Sequence, residues 1–285
     1  MNPGLLYALA AFTIWGLFPL YFRQLAGVAP FEVVLHRSAG SLVTVLLLMA
    51  WLRPRGALRG LFSDRRRLGW FVISGWLLAF NWLLYVLAVQ WGRLVEASLG
   101  FFINPLINVL VGVLVLRERL RPLQWLAVAL AATGVAWLTW HQGRVPWLAL
   151  GLSLTFAGYG LIRKTATLGA MEGLALESLL LAPVVLPLLG WLAFAPGGAF
   201  VQGHPALVGW VLLGGPLTAV PLLLFAAAAR RLPLTTLGLV QYLSPTLTLL
   251  LGVWLFGEPF DRTRLVGFGF IWTALAVYSA QAFRR

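Results

Sequence analysis

The residues of this chain best equipped for chemistry are charged side chains set inside apolar runs. Glu32, His36 and Arg37 lie in one such run, and Glu96 opens another. Glu32 and His36 are spaced i, i+4, so on a helix they stand one turn apart on one face, with Arg37 beside them. A charge costs about 2.5–3.5 kcal/mol at the centre of a bilayer on insertion scales, so its presence there asks for a use. A histidine and a partly buried carboxylate can exchange protons near neutral pH, which makes Glu32, His36, Arg37 and Glu96 candidates for a gate or a proton-coupling network. The structural alternative has the glutamates stabilising helix N-termini and Arg37 serving in a buried ion pair. Glu172 and Glu177 stand at the start of a later apolar run, near Arg163 and Lys164.

A second set is polar but uncharged. Pro105 and Pro245 each fall inside a long apolar segment, preceded by Asn104 and Ser244 and followed one turn later by Asn108 and Thr248. Proline removes a backbone donor and kinks a helix, and in lipid the freed carbonyl needs a neighbour or water. Two polar-edged kinks point to a central pathway; the alternative is that these groups only bond between helices. Trp15, Asn81, Trp82 and Tyr85, with Tyr159, Gln241 and Tyr242, gather near the kinks in sequence. They would suit a cavity for a flat or amphiphilic organic molecule, or else ordinary core packing.

The elements that position these residues follow from composition. Hydrophobic residues make up 61% of the 285 and charged residues only 10%, far below the roughly 25% of soluble domains. At about 20 residues per crossing the chain has room for roughly ten membrane helices and no extramembrane domain. We read them near 4–22, 31–52, 68–90, 95–116, 122–140, 146–164, 173–193, 206–229, 233–256 and 264–283. The net charge of +13 lies in short clusters between apolar runs, which excludes a nucleic-acid-binding face. There is no cysteine, and no metal-ligand spacing, catalytic motif or nucleotide loop appears, so neither an enzyme nor a cofactor is expected.

The chain repeats itself at an offset of 140 residues. Glu32 matches Glu172, Gly75 matches Gly215, Pro105 matches Pro245, Gly112 matches Gly252 and Glu118 matches Glu258. For the first helix of each half the offset grows by two, pairing Thr13 with Thr155 and Gly16 with Gly158. The Lys and Arg residues of one alternating set of loops number 15, against 5 in the other set, so both termini should be cytoplasmic. Five helices per copy then means that the second copy inserts upside down. The expected fold is all-α: a polytopic membrane protein of ten transmembrane helices as a 5+5 inverted repeat, divided at residues 1–142 and 143–285.

The segment Glu96-Ala-Ser-Leu-Gly-Phe-Phe-Ile-Asn-Pro-Leu-Ile-Asn-Val-Leu, with Arg117-Glu118-Arg119-Leu120 after it, resembles the RarD branch of the EamA-type transporters, in the drug/metabolite transporter superfamily. Asn81-Trp82-Leu83-Leu84-Tyr85 and the pattern Glu32…His36-Arg37 resemble the same branch. The resemblance implies a multi-pass carrier of the bacterial inner membrane, with helices 1, 3, 4, 6, 8 and 9 around a cavity. Trp15, Asn81, Tyr85, Asn104, Tyr159, Gln241 and Tyr242 would then lie near that cavity. The expected function is a secondary transporter or facilitator that exports a small organic metabolite or drug by alternating access, with the lipid bilayer as its setting and a proton as candidate coupling ion. The rivals are a structural or regulatory membrane subunit, and an intramembrane transferase, which would need Glu32, His36 and Glu96 to converge.

Overall fold

A computed structural model of the chain describes residues 2–25, 27–52, 59–90, 94–142, 147–193, 205–255 and 261–283. Apart from a single 3-10 turn at Arg59–Phe62, its regular structure is α-helical: α1 (Pro3–Gly16), α2 (Phe18–Gln24), α3 (Pro30–Leu52), α4 (Arg65–Gln90), α5 (Leu94–Leu114), α6 (Pro122–Gln142), α7 (Trp147–Thr165), α8 (Ala170–Ala193), α9 (Pro205–Ala229), α10 (Leu234–Gln241), α11 (Leu243–Trp254) and α12 (Arg262–Phe283). α1 with α2 forms the first crossing and α10 with α11 the ninth, which gives ten. Four helices open on proline, whose missing N–H has no intrahelical partner in the first turn. Asp64 accepts hydrogen bonds from the Arg66 and Arg67 N–H groups at 2.9 and 3.2 Å and so caps α4. Trp51, Trp140, Trp191 and Trp254 stand exposed at helix ends, where indoles suit the membrane–water boundary.

The element boundaries follow the sequence reading, with two corrections. The first crossing, expected as one run over 4–22, breaks at Leu17, because Pro19 cannot donate to the Trp15 carbonyl. Leu20 N–H turns instead to the Leu17 carbonyl at 3.0 Å, and the Gly16 carbonyl accepts from Thr248 Oγ1 of α11 at 3.3 Å. The ninth crossing, expected over 233–256, breaks at Tyr242, three residues before Pro245. α5, by contrast, runs through Pro105 without a break.

Helix contacts obey the repeat. Exchanging the halves maps α3 on α9 to α8 on α4, α1 on α9 to α7 on α4, and α7 on α5 to α1 on α11, while α6 on α12, α5 on α10 and α3 on α8 map onto themselves. Equivalent crossings are not equally close. A Cβ added to Gly40 of α3 would stand 2.7 Å from the Gly215 Cα of α9, so these backbones touch. At the equivalent crossing a Cβ on Gly75 would find the Glu177 carbonyl of α8 at an ordinary 3.5 Å. Gly215→Leu should therefore lower stability by about 1–3 kcal/mol, since backbone cannot step aside as a rotamer can. Gly209→Leu on the same helix, where a Cβ meets nothing within 4 Å, should leave the unfolding temperature in detergent unchanged.

The apolar core divides unevenly along the bundle. At the basic end, where Arg65, Arg66, Arg67, Arg163, Lys164, Arg230 and Arg231 lie, one cluster joins Ala8, Met49, Leu61, Phe71, Leu174, Leu232 and Leu234. It runs from there to the centre. At the opposite end two separate clusters stand: Tyr21, Leu25, Val33 and Val211 from α2, α3 and α9 with the α2–α3 turn, and Leu84, Ala88, Leu148 and Leu152 from α4 and α7. Among the described residues, the core is gathered into one cluster at the basic end and parted into separate clusters at the other, with a further cluster of Phe102, Val135, Ala149 and Phe268 from α5, α6, α7 and α12 beside them.

Candidate substrate pathway

At the centre the repeat brings aromatic rings from α1, α7 and α9 together. Trp15 has its ring centroid 5.6 Å from Phe12, 5.7 Å from Phe156 and 5.7 Å from Phe225. Tyr159 stacks on Phe225 at 6.0 Å and 17°. Trp82 of α4 packs against the same cluster. Trp15, Phe156 and Trp82 stay partly exposed although they pack against this cluster. The sequence reading found Trp15, Trp82 and Tyr159 but not Phe12, Phe156 and Phe225. Phenylalanine in an apolar run carries no mark that separates it from lipid-facing residues.

Polar side chains meet where α5 and α10 cross. Asn108 Nδ2 of α5 donates to Gln241 Oε1 of α10 at 2.7 Å, and both residues are buried. A Cβ on Gly238 would stand 2.7 Å from the Pro105 carbonyl, so glycine lets α10 approach at the α5 proline. Asn104, one turn earlier, is buried. Asn81 Nδ2 donates to the Leu152 carbonyl at 2.7 Å and to Thr155 Oγ1 at 2.9 Å, which fastens α4 to α7. Tyr85 packs in the α4–α7 cluster, 6.2 Å from the Phe101 ring. Tyr242 points elsewhere: at the helix break it joins Phe102, Val109, Phe268 and Ile271, on the side of α6 and α12.

Charged groups form three separate assemblies. Towards the parted end, Glu32 Oε1 lies 3.4 Å from His36 Nε2. Beside them Arg37 Nε donates to Thr218 Oγ1 of α9 at 2.8 Å, and its guanidinium sits over Phe18 and Phe22 at 5.0 and 5.4 Å. The Glu96 side chain lies outside the described residues. In the basic half of the bundle, Glu177 lies about two turns into α8 and its carboxylate is 3.7 Å from Arg163 of α7, each 1% exposed. Ser74 of α4 donates to the same Glu177 oxygen at 2.5 Å. A cavity of about 20 Å³ beside Glu177, lined also by Ser41, Trp82 and Ser178, is large enough for one water.

The third assembly closes the basic end. α5 stops with Arg117 in the left-handed region, φ 55°, and the Glu118 N–H reaches back to the Gly112 carbonyl at 3.0 Å. Pro233 gives α10 no side-chain cap. Glu118 supplies one from the other repeat, accepting from the Leu234 and Thr235 N–H groups at 2.7 and 3.0 Å. Lys164 of α7 donates to the carbonyls of Ala229, the last residue of α9, and of Leu232 in the following turn, at 3.3 and 2.6 Å, and lies 3.9 Å from Glu118. The carboxylate lies over Gly112, where a Cβ would come within 2.8 Å of it. Ser74 and Thr218 are partners that the sequence reading did not name, and Lys164, expected near Glu172 and Glu177, meets Glu118 instead. Their signal was a polar group in an otherwise apolar run, legible only once the facing helix is known.

Two five-helix repeats around an aromatic and amide centre, closed by charge at one end, define a membrane transporter architecture. The chain belongs to the EamA-like transporter family, whose model matches residues 2–140 and again 144–280. It is 51% identical over 290 residues to an uncharacterized transporter of Pseudomonas aeruginosa, covering 100% of this chain and 95% of the relative. It is 41% identical over 281 residues to the protein RarD of Escherichia coli, covering 99% and 95%. A chloramphenicol-sensitive protein RarD of Pseudomonas aeruginosa is 33% identical over 280 residues, covering 96% and 92%. A solved crystal structure with 20% identity and a TM-score of 0.74 over 99% of both chains shares the fold. The resemblance to the RarD branch therefore holds, and the chain is a multi-pass membrane protein.

Proposed function

We propose that this protein is a secondary transporter or facilitator that exports a small organic metabolite or drug across the bacterial inner membrane by alternating access. The observation that supports this reading is the uneven core among the described residues: one cluster and the Glu118–Lys164 brace at the basic end, separate clusters towards the other. An inverted repeat can exchange these two arrangements between its ends, because each half can take up the conformation that its mate now has. The excess of Lys and Arg in one set of loops, 15 against 5, supports both termini in the cytoplasm, so the sealed end faces the cell interior. Trp15, Phe156 and Phe225, with the Asn108–Gln241 pair, offer apolar faces and a few fixed polar groups to the cargo. Residues 1–142 and 143–285 serve as the two rocking halves. Glu32 and His36, already in contact, are the described groups from which a proton-coupling step would start.

Purified protein in proteoliposomes tests the reading against a panel of amino acids, aromatic metabolites and antibiotics; chloramphenicol belongs in it because one relative's name speaks of sensitivity to it. At least one compound should cross faster than in protein-free vesicles and saturate with concentration. A folded bundle that moves none of them would overturn the carrier.

A further inference from the structure

We infer that Arg37 receives an anionic group, a carboxylate first of all, on the molecule that this protein carries; the inference rests on the carrier reading above. The argument comes from comparing the two sites that the repeat makes equivalent. Arg37 of α3 and Glu177 of α8 are repeat mates, and each is a charge within a membrane helix at opposite ends of the bundle. Around Glu177 the protein supplies its own balance: Arg163 at 3.7 Å as counter-ion and Ser74 as hydroxyl donor. The offset of 142 that aligns the first helix of each half makes Tyr21 the mate of Arg163. The mate of Ser74 is Gly214, and Tyr21 and Arg37 both press against that glycine. Where one site has a counter-ion, the other has an uncharged phenol. Among the described residues no carboxylate lies within ion-pair distance of Arg37.

The remaining contacts hold the guanidinium without satisfying it. Thr218 takes only Nε, and Phe18 and Phe22 attract the cation from its face. The two Nη groups make no hydrogen bond among the described residues. Arg37 as a whole is partly exposed. A planar fork fixed at its base and free at its tip is the geometry for two-point capture of a carboxylate. The site lies at the parted end, seven residues from the start of α3, with aromatic rings beside it for an apolar body. The cargo class is thus an amphiphilic organic anion.

Matched ligands test this on the full-length protein: indole-3-acetate against indole-3-acetamide, and 3-phenylpropionate against 3-phenylpropionamide, by equilibrium dialysis and by flux in proteoliposomes. Wild type should bind each acid at least about tenfold more tightly than its amide, the scale of one charge-assisted hydrogen bond. Arg37→Gln should abolish that ratio and leave amide affinity unchanged. Arg37→Lys keeps charge without the planar fork, so its ratio should fall between the two and provide the test if the glutamine variant does not fold. Arg23→Gln should keep the full ratio. Equal affinity for acid and amide in wild type, no binding of either acid, or a ratio that survives Arg37→Gln would each overturn the proposal. An Arg37-dependent ratio without flux of any ligand keeps the anion site and removes the carrier. Saturable flux of amides with no preference for acids keeps the carrier and removes the anion site.

Discussion

Glu177→Ala should cost the protein about 3–5 kcal/mol of stability, measured by thermal or denaturant unfolding in detergent. The cost comes from what stays behind. Arg163 is 1% exposed, lies over the Phe71 ring at 5.7 Å and donates to the Ala170 carbonyl at 2.8 Å. Without the carboxylate its charge remains in an apolar site with no counter-ion. Ser74 also loses its acceptor. The double variant Arg163→Met/Glu177→Leu removes both charges together and should recover most of the loss, because a buried pair often exceeds a well-packed apolar pair in desolvation cost. A single variant as stable as wild type would show that this pair does not hold α7 to α8. A double variant as weak as the single would assign the loss to the shape of Glu177 rather than to its charge.

The helices and the repeat were legible because both are periodic signals. Runs of about twenty apolar residues between Arg clusters mark crossings whatever their partners are. Matched Pro105 and Pro245, or Gly75 and Gly215, need only the chain compared with itself. The helix breaks were harder to see. Pro19 and Pro245 act through the carbonyl four residues back, so a run that stays apolar in composition is severed in hydrogen bonding. Tyr242, at the break, lies towards α12, while Gln241, its neighbour, meets Asn108. Partner identity was the least legible part. Arg37 and Glu177 look like equivalent charges in sequence, yet one faces Thr218 and the other Ser74 and Arg163. Those partners lie 181, 103 and 14 residues away, and only the packing of α9 and α4 brings the distant two into reach. Glu177 also sits deeper than its place near a helix start suggested, because α8 begins at Ala170.

Glu118→Ala should loosen the basic end, and a single cysteine should report it. The chain has no cysteine of its own, so Leu237→Cys, at a fully buried position beneath the brace, gives a reporter without background. Glu118 caps the first two N–H groups of α10, and truncation leaves both without an acceptor beside a proline that cannot supply one. Loss of a cap and of a charge-assisted bond amounts to about 1–3 kcal/mol. If part of that energy favours the sealed arrangement, its removal should raise Leu237→Cys labelling by a water-soluble maleimide about tenfold, since 1.4 kcal/mol is one decade in a population. Glu118→Gln keeps an acceptor oxygen for one N–H but gives up the attraction of Lys164, so it should fall between wild type and alanine. Arg119→Ala, one residue on, makes a control that leaves the cap intact. Faster labelling in Glu118→Ala with an unchanged unfolding temperature would mean that the brace sets which end is open more than whether the bundle folds. Unchanged labelling would leave the apolar cluster around Leu232 and Leu234 as the sole seal. The brace and that cluster share one property that matters for the proposed carrier. Glu118 belongs to the first repeat while Lys164 and α10 belong to the second, and the cluster likewise joins Ala8 and Phe71 to Leu232 and Leu234, so under the proposed rocking of the halves both would have to part at each cycle.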